Sequence, residues 1–395
     1  MKIIGYLIFA GFYYIFRFFC PMKPKKVFCI MTHDNSKDGN VAVVADYLKQ
    51  YDKEYSFQYI RKEDRRLVKK PGIWKGKLSF FIAKPYHLAT SAYVLMDNTF
   101  LPMAYIRFSK KVRVVQLWHG TGTIKRFGQD VNTGQLKELE RRANSRITHL
   151  IVNSEQSKEE YSGSFGIPKE RVFVYGLPRT DLFFDEQVKQ ERRNAFFKQY
   201  PELAGKKLVL YAPTLRDYAP TSRDPAPMLR GRELKQPKLA LDTEKMQREL
   251  GGDYVLMLRL HPFVMEMYQK DGQYKGALQE NVISMSGYPD INTLLLVTDY
   301  LITDYSSVIF EYCLLRKPML FYAYDLEEFS DHGRGFYHPY RKFVPGPVAG
   351  TTEEIIRLLK KDAFDLEIIN SFINNNYQYL DGKSTERLYL HIFKA

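Results

Sequence analysis

The sequence predicts an α/β protein built as two doubly wound domains in series, each a parallel sheet covered by helices. Three observations carry that prediction. The chain has 395 residues, too many for one ordinary core and enough for two domains of roughly 150 to 200 residues. Short apolar, β-rich runs alternate with helical stretches, the pattern of strands buried on both faces. The alternation halts at a charged helix and then begins again.

In chain order, the first set of strands is "KVFCIM" (26 to 31), "AYVLM" (92 to 96), "VRVVQLW" (112 to 118), "HLIVNS" (149 to 154) and "RVFVYG" (171 to 176). Between them fall "NVAVVADYLKQY", which follows the polar turn "HDNSKDGN", and "TGQLKELERRANS", both helical in pattern. The stretch "DEQVKQERRNAFFKQYPELAGKK", ending near Pro201 and Gly205, reads as the linker. A second set follows: "KKLVLYAP" (206 to 213), "YVLMLRLHP" (254 to 262), "NVISM" (281 to 285), "YLITD" (300 to 304) and "PMLFYAYD" (318 to 325). The expected organisation is a segment 1–22, a domain 23–200 and a domain 201–395. Doubly wound domains in series place ligands between them, at the carboxyl ends of the strands.

Residues 3 to 19, "IIGYLIFAGFYYIFRFF", are apolar apart from Arg17 and are followed by Lys23, Lys25 and Lys26. As a helix, the uncharged part from Ile3 to Phe16 spans roughly 21 Å, short of the ~30 Å hydrocarbon core of a bilayer. No small-residue cleavage site precedes Cys20-Pro21, which argues against a signal peptide. The preferred reading is a membrane-associating helix on the cytoplasmic face, since basic flanks stay inside. A core helix and a transmembrane span stay open as alternatives.

Hydrophobic residues make up 45% and aromatics 15%, a composition that can bury a core, and neither low-complexity tracts nor internal repeats occur. The net charge of +14 implies an anionic partner: nucleic acid, a phosphorylated substrate or an acidic membrane surface. Arg61, Lys62, Arg65, Arg66, Lys69, Lys70, Lys75 and Lys77 crowd one stretch, with Trp74, Leu78, Phe80 and Phe81 beside them. That stretch is either a solvated helix face or a surface lying on anionic lipid, where each basic residue contributes about 1 kcal/mol. Cys20, Cys29 and Cys313 have no spacing suited to a disulfide framework or a zinc site, which fits a reducing compartment.

Four strand ends carry polar residues of chemical interest. His119-Gly120 ends the strand at 112 to 118; Arg259 and His261-Pro262 end the one at 254 to 262; Thr214, Arg216 and Asp217 follow "YAP". In "LITDYSSVIFEYCLLRKP", Thr303, Asp304, Ser306 and Ser307 fall between a strand and an amphipathic helix. Unpaired N–H groups at a helix start, with hydroxyls beside them, form a seat for phosphate, whereas a single capping residue explains only one such side chain. A lone histidine at a strand end is usually structural. Two of them in different domains, each followed by Gly or Pro, suit a proton acceptor and a ligand for phosphate or leaving group. Lys125 and Arg126 serve either phosphate neutralisation or surface solvation. There is no G-x-x-x-x-G-K-[ST], no G-x-G-x-x-G after the first strand, no H-E-x-x-H and no G-x-S-x-G, so a P-loop nucleotidase and a nicotinamide enzyme are disfavoured. Nothing in the sequence calls for a metal or another cofactor.

The blocks "QLWHGTGTIKRFG", "YGLPRTD", "YAPTLRD", "LRLHP" and "LITDYSSVIFEYCLLRKPMLFYAYDLEEF", with "RGFY" at 334 to 337, resemble the CDP-glycerol glycerophosphotransferase family of wall teichoic acid synthesis. The resemblance runs from about residue 93 to residue 345 and is loose before residue 90. It implies a GT-B architecture of two facing Rossmann-like domains, peripheral membrane attachment, and transfer of glycerol phosphate from CDP-glycerol to an undecaprenyl-diphosphate-linked acceptor with release of CMP. By the same resemblance His119 is the general base, and His261 and Arg259 contact donor phosphate. Ser306 and Ser307 form the pyrophosphate seat with Thr214, Thr303 and Asp304 close by, and Glu311 holds the ribose. Gly120, Lys125, Arg126 and Arg179 fall on the acceptor side or where phosphate charge is neutralised. The family's usual "GTPLK" is here "GTGTIK", so Gly122 and Thr123 depart from the pattern.

The chain leaves no room for an extra domain before the catalytic pair, which favours a primase that adds the first unit to an N-acetylmannosaminyl-N-acetylglucosaminyl lipid. A second-unit enzyme or a ribitol phosphate transferase is the neighbouring alternative. From other classes, a soluble nucleotide-sugar isomerase needs neither the hydrophobic amino terminus nor the basic stretch, and a nucleic-acid binder leaves the strand-end histidines unexplained. No nucleic-acid partner is expected, and self-association into a homo-oligomer stays open.

Overall fold

The computed structural model describes residues 2–34, 36–64, 76, 78–214, 239–260 and 281–394. It divides into two compact units: residues 1–122, 127–184 and 376–395, and residues 123–126 with 185–375.

The first unit holds six parallel strands: β1 Lys23–Met31, β2 Ser56–Arg61, β3 Ser91–Met96, β4 Arg113–Gln116, β5 His149–Val152 and β6 Val172–Val174, in the order β2-β1-β3-β4-β5-β6. Alternation along β1 shows why the run reads as continuously apolar. Phe28 and Ile30 face one core with Val94, Met96 and Val114; Val27, Cys29 and Met31 face another with Leu95, Val115 and the helix Asn40–Tyr51. β2 was not expected from the sequence. It is an edge strand with only Ile60 buried, so it lacks the apolar run that marks its neighbours.

The second unit repeats the plan with β7 Lys207–Tyr211, β8 Tyr254–Leu258, β9 Val282–Ser284, β10 Tyr300–Thr303, β11 Met319–Tyr322 and β12 Val348–Ala349, ordered β12-β11-β10-β7-β8-β9 and all parallel. The two-residue β12 also escaped the sequence reading. In each sheet the order reverses at one place, between β1 and β3 and between β7 and β10. A crevice outside the carboxyl ends of the strands forms at such reversals, which is where doubly wound sheets bind ligands.

The units do not break at residue 200. The helix Glu186–Gln199, expected at the end of the first domain, belongs to the second unit: Arg192 pairs with Asp290 at 2.9 Å, and Arg193 donates to the Leu296 carbonyl. The last twenty residues return to the first unit, where the Asp181 carboxylate accepts the Ser384 and Thr385 N–H groups and the Thr385 hydroxyl at 2.7 to 2.9 Å.

The amino-terminal helix Lys2–Phe19 is half a core helix. Phe9, Ala10 and Tyr13 are buried in the first unit, with Phe9 against Phe80 and Phe100 and Tyr13 against Phe108. Its other face leaves Ile4, Leu7, Ile8, Ile15, Phe18 and Phe19 exposed, Phe18 by 83%. Among the described residues no helix is long and apolar enough to cross a membrane. Of the basic stretch, Arg61 and Lys62 are described and exposed; Arg65, Arg66, Lys69, Lys70, Lys75 and Lys77 lie outside the described residues.

Candidate active site

In the first unit the reversal between β1 and β3 gathers residues from three strand ends. Asp97, just past β3, is buried, and its carboxylate accepts four backbone bonds from the segment after β1. Oδ1 takes the N–H groups of Thr32 at 2.9 Å and His33 at 3.3 Å, and Oδ2 those of His33 at 3.1 Å and Asp34 at 2.8 Å. Burial raises the Asp97 pKa to about 6, against the pull of those donors.

The Asp97 backbone carbonyl lies 2.7 Å from His119 Nδ1. A carbonyl can only accept, so Nδ1 carries the proton and Nε2 of the neutral ring keeps its lone pair. Burial is the main influence holding the His119 pKa well below that of ordinary histidine, with the charges of His33 and Arg179 acting in the same direction. The His33 ring lies on the His119 ring, with centroids 3.5 Å apart and planes 13° from parallel. The result is a neutral imidazole in the tautomer that can take a proton at Nε2.

The strand end itself is locked. Trp118 adopts a left-handed backbone (φ 55°), a strained state for a bulky residue. Its N–H goes to Gln116 Oε1 at 3.0 Å, and Asn40 Nδ2 donates to the Leu117 and Trp118 carbonyls at 3.1 Å each. Asn40 Oδ1 accepts the Arg179 N–H at 2.9 Å, and Arg179 Nη1 donates to the His119 carbonyl at 3.1 Å and lies 3.6 Å from Asp34 Oδ2. The Gly120 carbonyl accepts from Tyr161 at 2.8 Å.

In the second unit the reversal between β7 and β10 brings Thr214 and Asp304 together: the Thr214 N–H donates to Asp304 Oδ1 at 2.8 Å, as does the Tyr305 N–H at 2.5 Å. Tyr340 donates to the Asp304 carbonyl at 3.0 Å. The Thr303 hydroxyl gives its proton to the Ala212 carbonyl at 2.7 Å, which ties the ends of β7 and β10. Ser306 and Ser307 are half-buried at the start of the helix Val308–Cys313. That helix is short, and Ile309 to Cys313 are all buried, so it is not the amphipathic helix the sequence suggested; Glu311 is buried within it. Arg259 Nη1 donates to the carbonyls of Met285, Ser286 and Tyr288 at 2.5 to 2.9 Å, shaping the turn after β9. His261, Arg216 and Asp217 lie outside the described residues.

Residues 123–126 of the opening motif belong to the second unit. The Arg126 N–H and Nε donate to the Gly335 and Phe336 carbonyls, the Tyr337 N–H donates to the Ile124 carbonyl, and Lys125 bridges Phe336 in antiparallel fashion. The Gly122-Thr123 departure therefore falls where the chain passes from one unit to the other.

His33, Asp97 and Asn40 were missed by the sequence reading. For His33 and Asp97 the signal is the same as that of His119, polar residues at strand ends: "MTHD" and "LMD" close β1 and β3.

Comparison with known proteins gives the family. The model described as CDP-Glycerol:Poly(glycerophosphate) glycerophosphotransferase matches residues 12–394. The chain is 34% identical over 387 residues to the teichoic acid poly(ribitol-phosphate) polymerase of Bacillus spizizenii, covering 96% of this chain and 58% of that protein. It is 30% identical to the teichoic acid ribitol-phosphate primase of the same organism, covering 96% and 94%. It is 29% identical to the teichoic acid glycerol-phosphate primase of Bacillus subtilis, covering 77% and 76%. The chain spans between half and two thirds of the length of the first three polymerase relatives. Among solved structures, the wall teichoic acid polymerase TagF shares the fold at a TM-score of 0.72 and 24% identity, covering 94% of this chain and 89% of that one. A UDP-GlcNAc 2-epimerase from Methanocaldococcus jannaschii shares it more distantly, at a TM-score of 0.55 and 13% identity, covering 94% and 100%. With its family model matched almost end to end, the chain belongs to the CDP-glycerol:poly(glycerophosphate) glycerophosphotransferase family.

Proposed function

We propose that this protein transfers glycerol phosphate from CDP-glycerol to an undecaprenyl-diphosphate-linked disaccharide in wall teichoic acid synthesis, acting as the primase. The observation that carries the reading is the His119 imidazole, neutral and pinned at Nδ1, with Nε2 left as the proton acceptor. The acceptor hydroxyl oxygen attacks the phosphorus that bears glycerol, a new P–O bond forms, and the bond to CMP breaks. The hydroxyl proton passes to His119 Nε2, and CMP leaves as the anion. Arg259, His261, Ser306, Ser307 and Thr214 serve the donor diphosphate and Glu311 the ribose; Lys125, Arg126 and Arg179 offset phosphate charge. Positioning and charge neutralisation supply most of the acceleration in such transfers.

One observation favours a second donor. Two of the relatives above, the polymerase at 34% identity and the primase at 30% of which this chain covers 94%, carry ribitol phosphate in their names. The test offers CDP-glycerol and CDP-ribitol separately with the disaccharide lipid and counts the units added by mass. One glycerol phosphate per acceptor supports the stated reading, one ribitol phosphate supports the second, a long product overturns the primase role, and no product overturns both.

The same proposal puts the exposed apolar face of the helix Lys2–Phe19 on the cytoplasmic surface of the membrane. Burying Ile15, Phe18 and Phe19 each contributes up to about 1.5–3 kcal/mol. Replacing the three by glutamate, which spares the buried Phe9 and Tyr13, is expected to lower sedimentation with anionic liposomes at least about tenfold. Undiminished sedimentation would remove the helix from the interface.

A further inference from the structure

We propose that His33 is a positioning residue for His119. This rests on the reading of His119 as the base.

The stack is not a by-product of burial, because His33 is exposed. This ring lies 13° from parallel over its neighbour, with centroids 3.5 Å apart. Its backbone is fixed for that purpose. The His33 N–H is shared between both oxygens of Asp97, while the carbonyl of the same Asp97 receives His119 Nδ1. One residue thus places both imidazoles, one through its carboxylate and one through its main chain.

The stack supplies what a single hydrogen bond does not. A ring held only at Nδ1 can swing about the N–H···O axis and sweep Nε2 away from an acceptor; a second ring on its face removes that freedom. Trp118, with its centroid 3.9 Å from that of His119 and tilted by 32°, is the other aromatic neighbour. The groups facing His119 are His33, Asp97 through its carbonyl, and Arg179, which donates to the His119 carbonyl and lies near Asp34. Nδ1 therefore meets a neutral carbonyl, while His33 and Arg179 act against the charge that arrives with the proton at Nε2. Two imidazolium rings at this separation repel, which is the direction in which His33 acts on His119.

The test compares His33→Ala with His33→Phe, which keeps a flat ring but cannot titrate. The first measurement needs no turnover: ¹⁵N and ¹³C NMR of the imidazoles, with the His119 signals identified by their loss in His119→Asn. The wild-type protein and His33→Phe should show His119 as the single Nδ1–H tautomer. His33→Ala should show a mixture of tautomers and titration of His119 at higher pH. The second measurement is steady-state kinetics, where His33→Ala should lose about 10- to 100-fold in kcat with the donor KM within about twofold, and His33→Phe should recover most of the rate. His33→Ala that keeps both the single tautomer and the rate overturns the proposal, as does His33→Phe that behaves like alanine in both. If the wild-type enzyme turns over neither donor, the functional reading fails while the NMR result still decides the role of His33.

Discussion

Replacing His119 by alanine is expected to lower kcat for CMP release by about 10²- to 10⁴-fold while donor affinity stays within about threefold. The reason is the division of labour among side chains. The only catalytic feature removed is the lone pair at Nε2, since Nδ1 is spent on the Asp97 carbonyl. The residues proposed to hold the donor diphosphate, Thr214, Ser306 and Ser307, belong to the second unit and owe none of their described contacts to His119. The expected signature is therefore a fall in kcat and in kcat/KM by the same factor, with calorimetric binding of CDP-glycerol preserved. A variant with near-normal turnover would end the general-base role, and one that loses donor binding would move His119 to the donor side.

Replacing Asp97 by alanine is expected to cost both stability and activity. Three N–H groups, of Thr32, His33 and Asp34, share its two oxygens through four bonds, and alanine offers them nothing. Leaving such groups unmatched costs about 1–3 kcal/mol each before water relieves the outer ones, so a loss of roughly 2–5 kcal/mol in urea unfolding is expected. Asparagine is the more informative change because it keeps one acceptor oxygen and cannot titrate. With the Asp97 pKa raised to about 6 by burial, acidification through that value converts an acceptor oxygen into an O–H donor facing N–H donors. Activity should be present above about pH 6 and fall below it. His119, held well below the ordinary histidine range, stays neutral through this window and does not supply that limb. In Asp97→Asn the limb near pH 6 should vanish, leaving a lower plateau; a limb that persists would assign it to another group.

What the sequence revealed follows from how each element is buried. The central strands were legible because both faces pack against a core, so Val27 to Met31 and Leu208 to Tyr211 read as unbroken apolar runs. The edge strands β2 and β12 were not, since an edge needs little apolar surface. His119 and the Thr303–Ser307 stretch stood out as polar residues at strand ends, and Thr214 and Asp304 do share a hydrogen bond. Asp97 and His33 each stand at a strand end as polar residues, but their meeting depends on β1 and β3 being neighbours, a long-range pairing that no local pattern encodes. The hydroxyl of Thr303 was read as a ligand from its position, whereas its proton goes to Ala212, a choice set by the β7–β10 pairing. The boundary between the units was misplaced because charged helices look alike in sequence, whichever core they serve.

The return of residues 376–395 to the first unit has a consequence for synthesis on the ribosome. At about 5–20 residues per second, the stretch from 185 to 375 takes on the order of ten to forty seconds to emerge. Throughout that time the first unit is without Leu388, Ile392 and Phe393, which complete one of its cores, and Asp181 is without its Ser384 and Thr385 donors. The amino-terminal half of this chain therefore cannot finish folding before the carboxyl-terminal half is made. Nascent chains stalled before residue 376 should consequently present an open apolar face to chaperones.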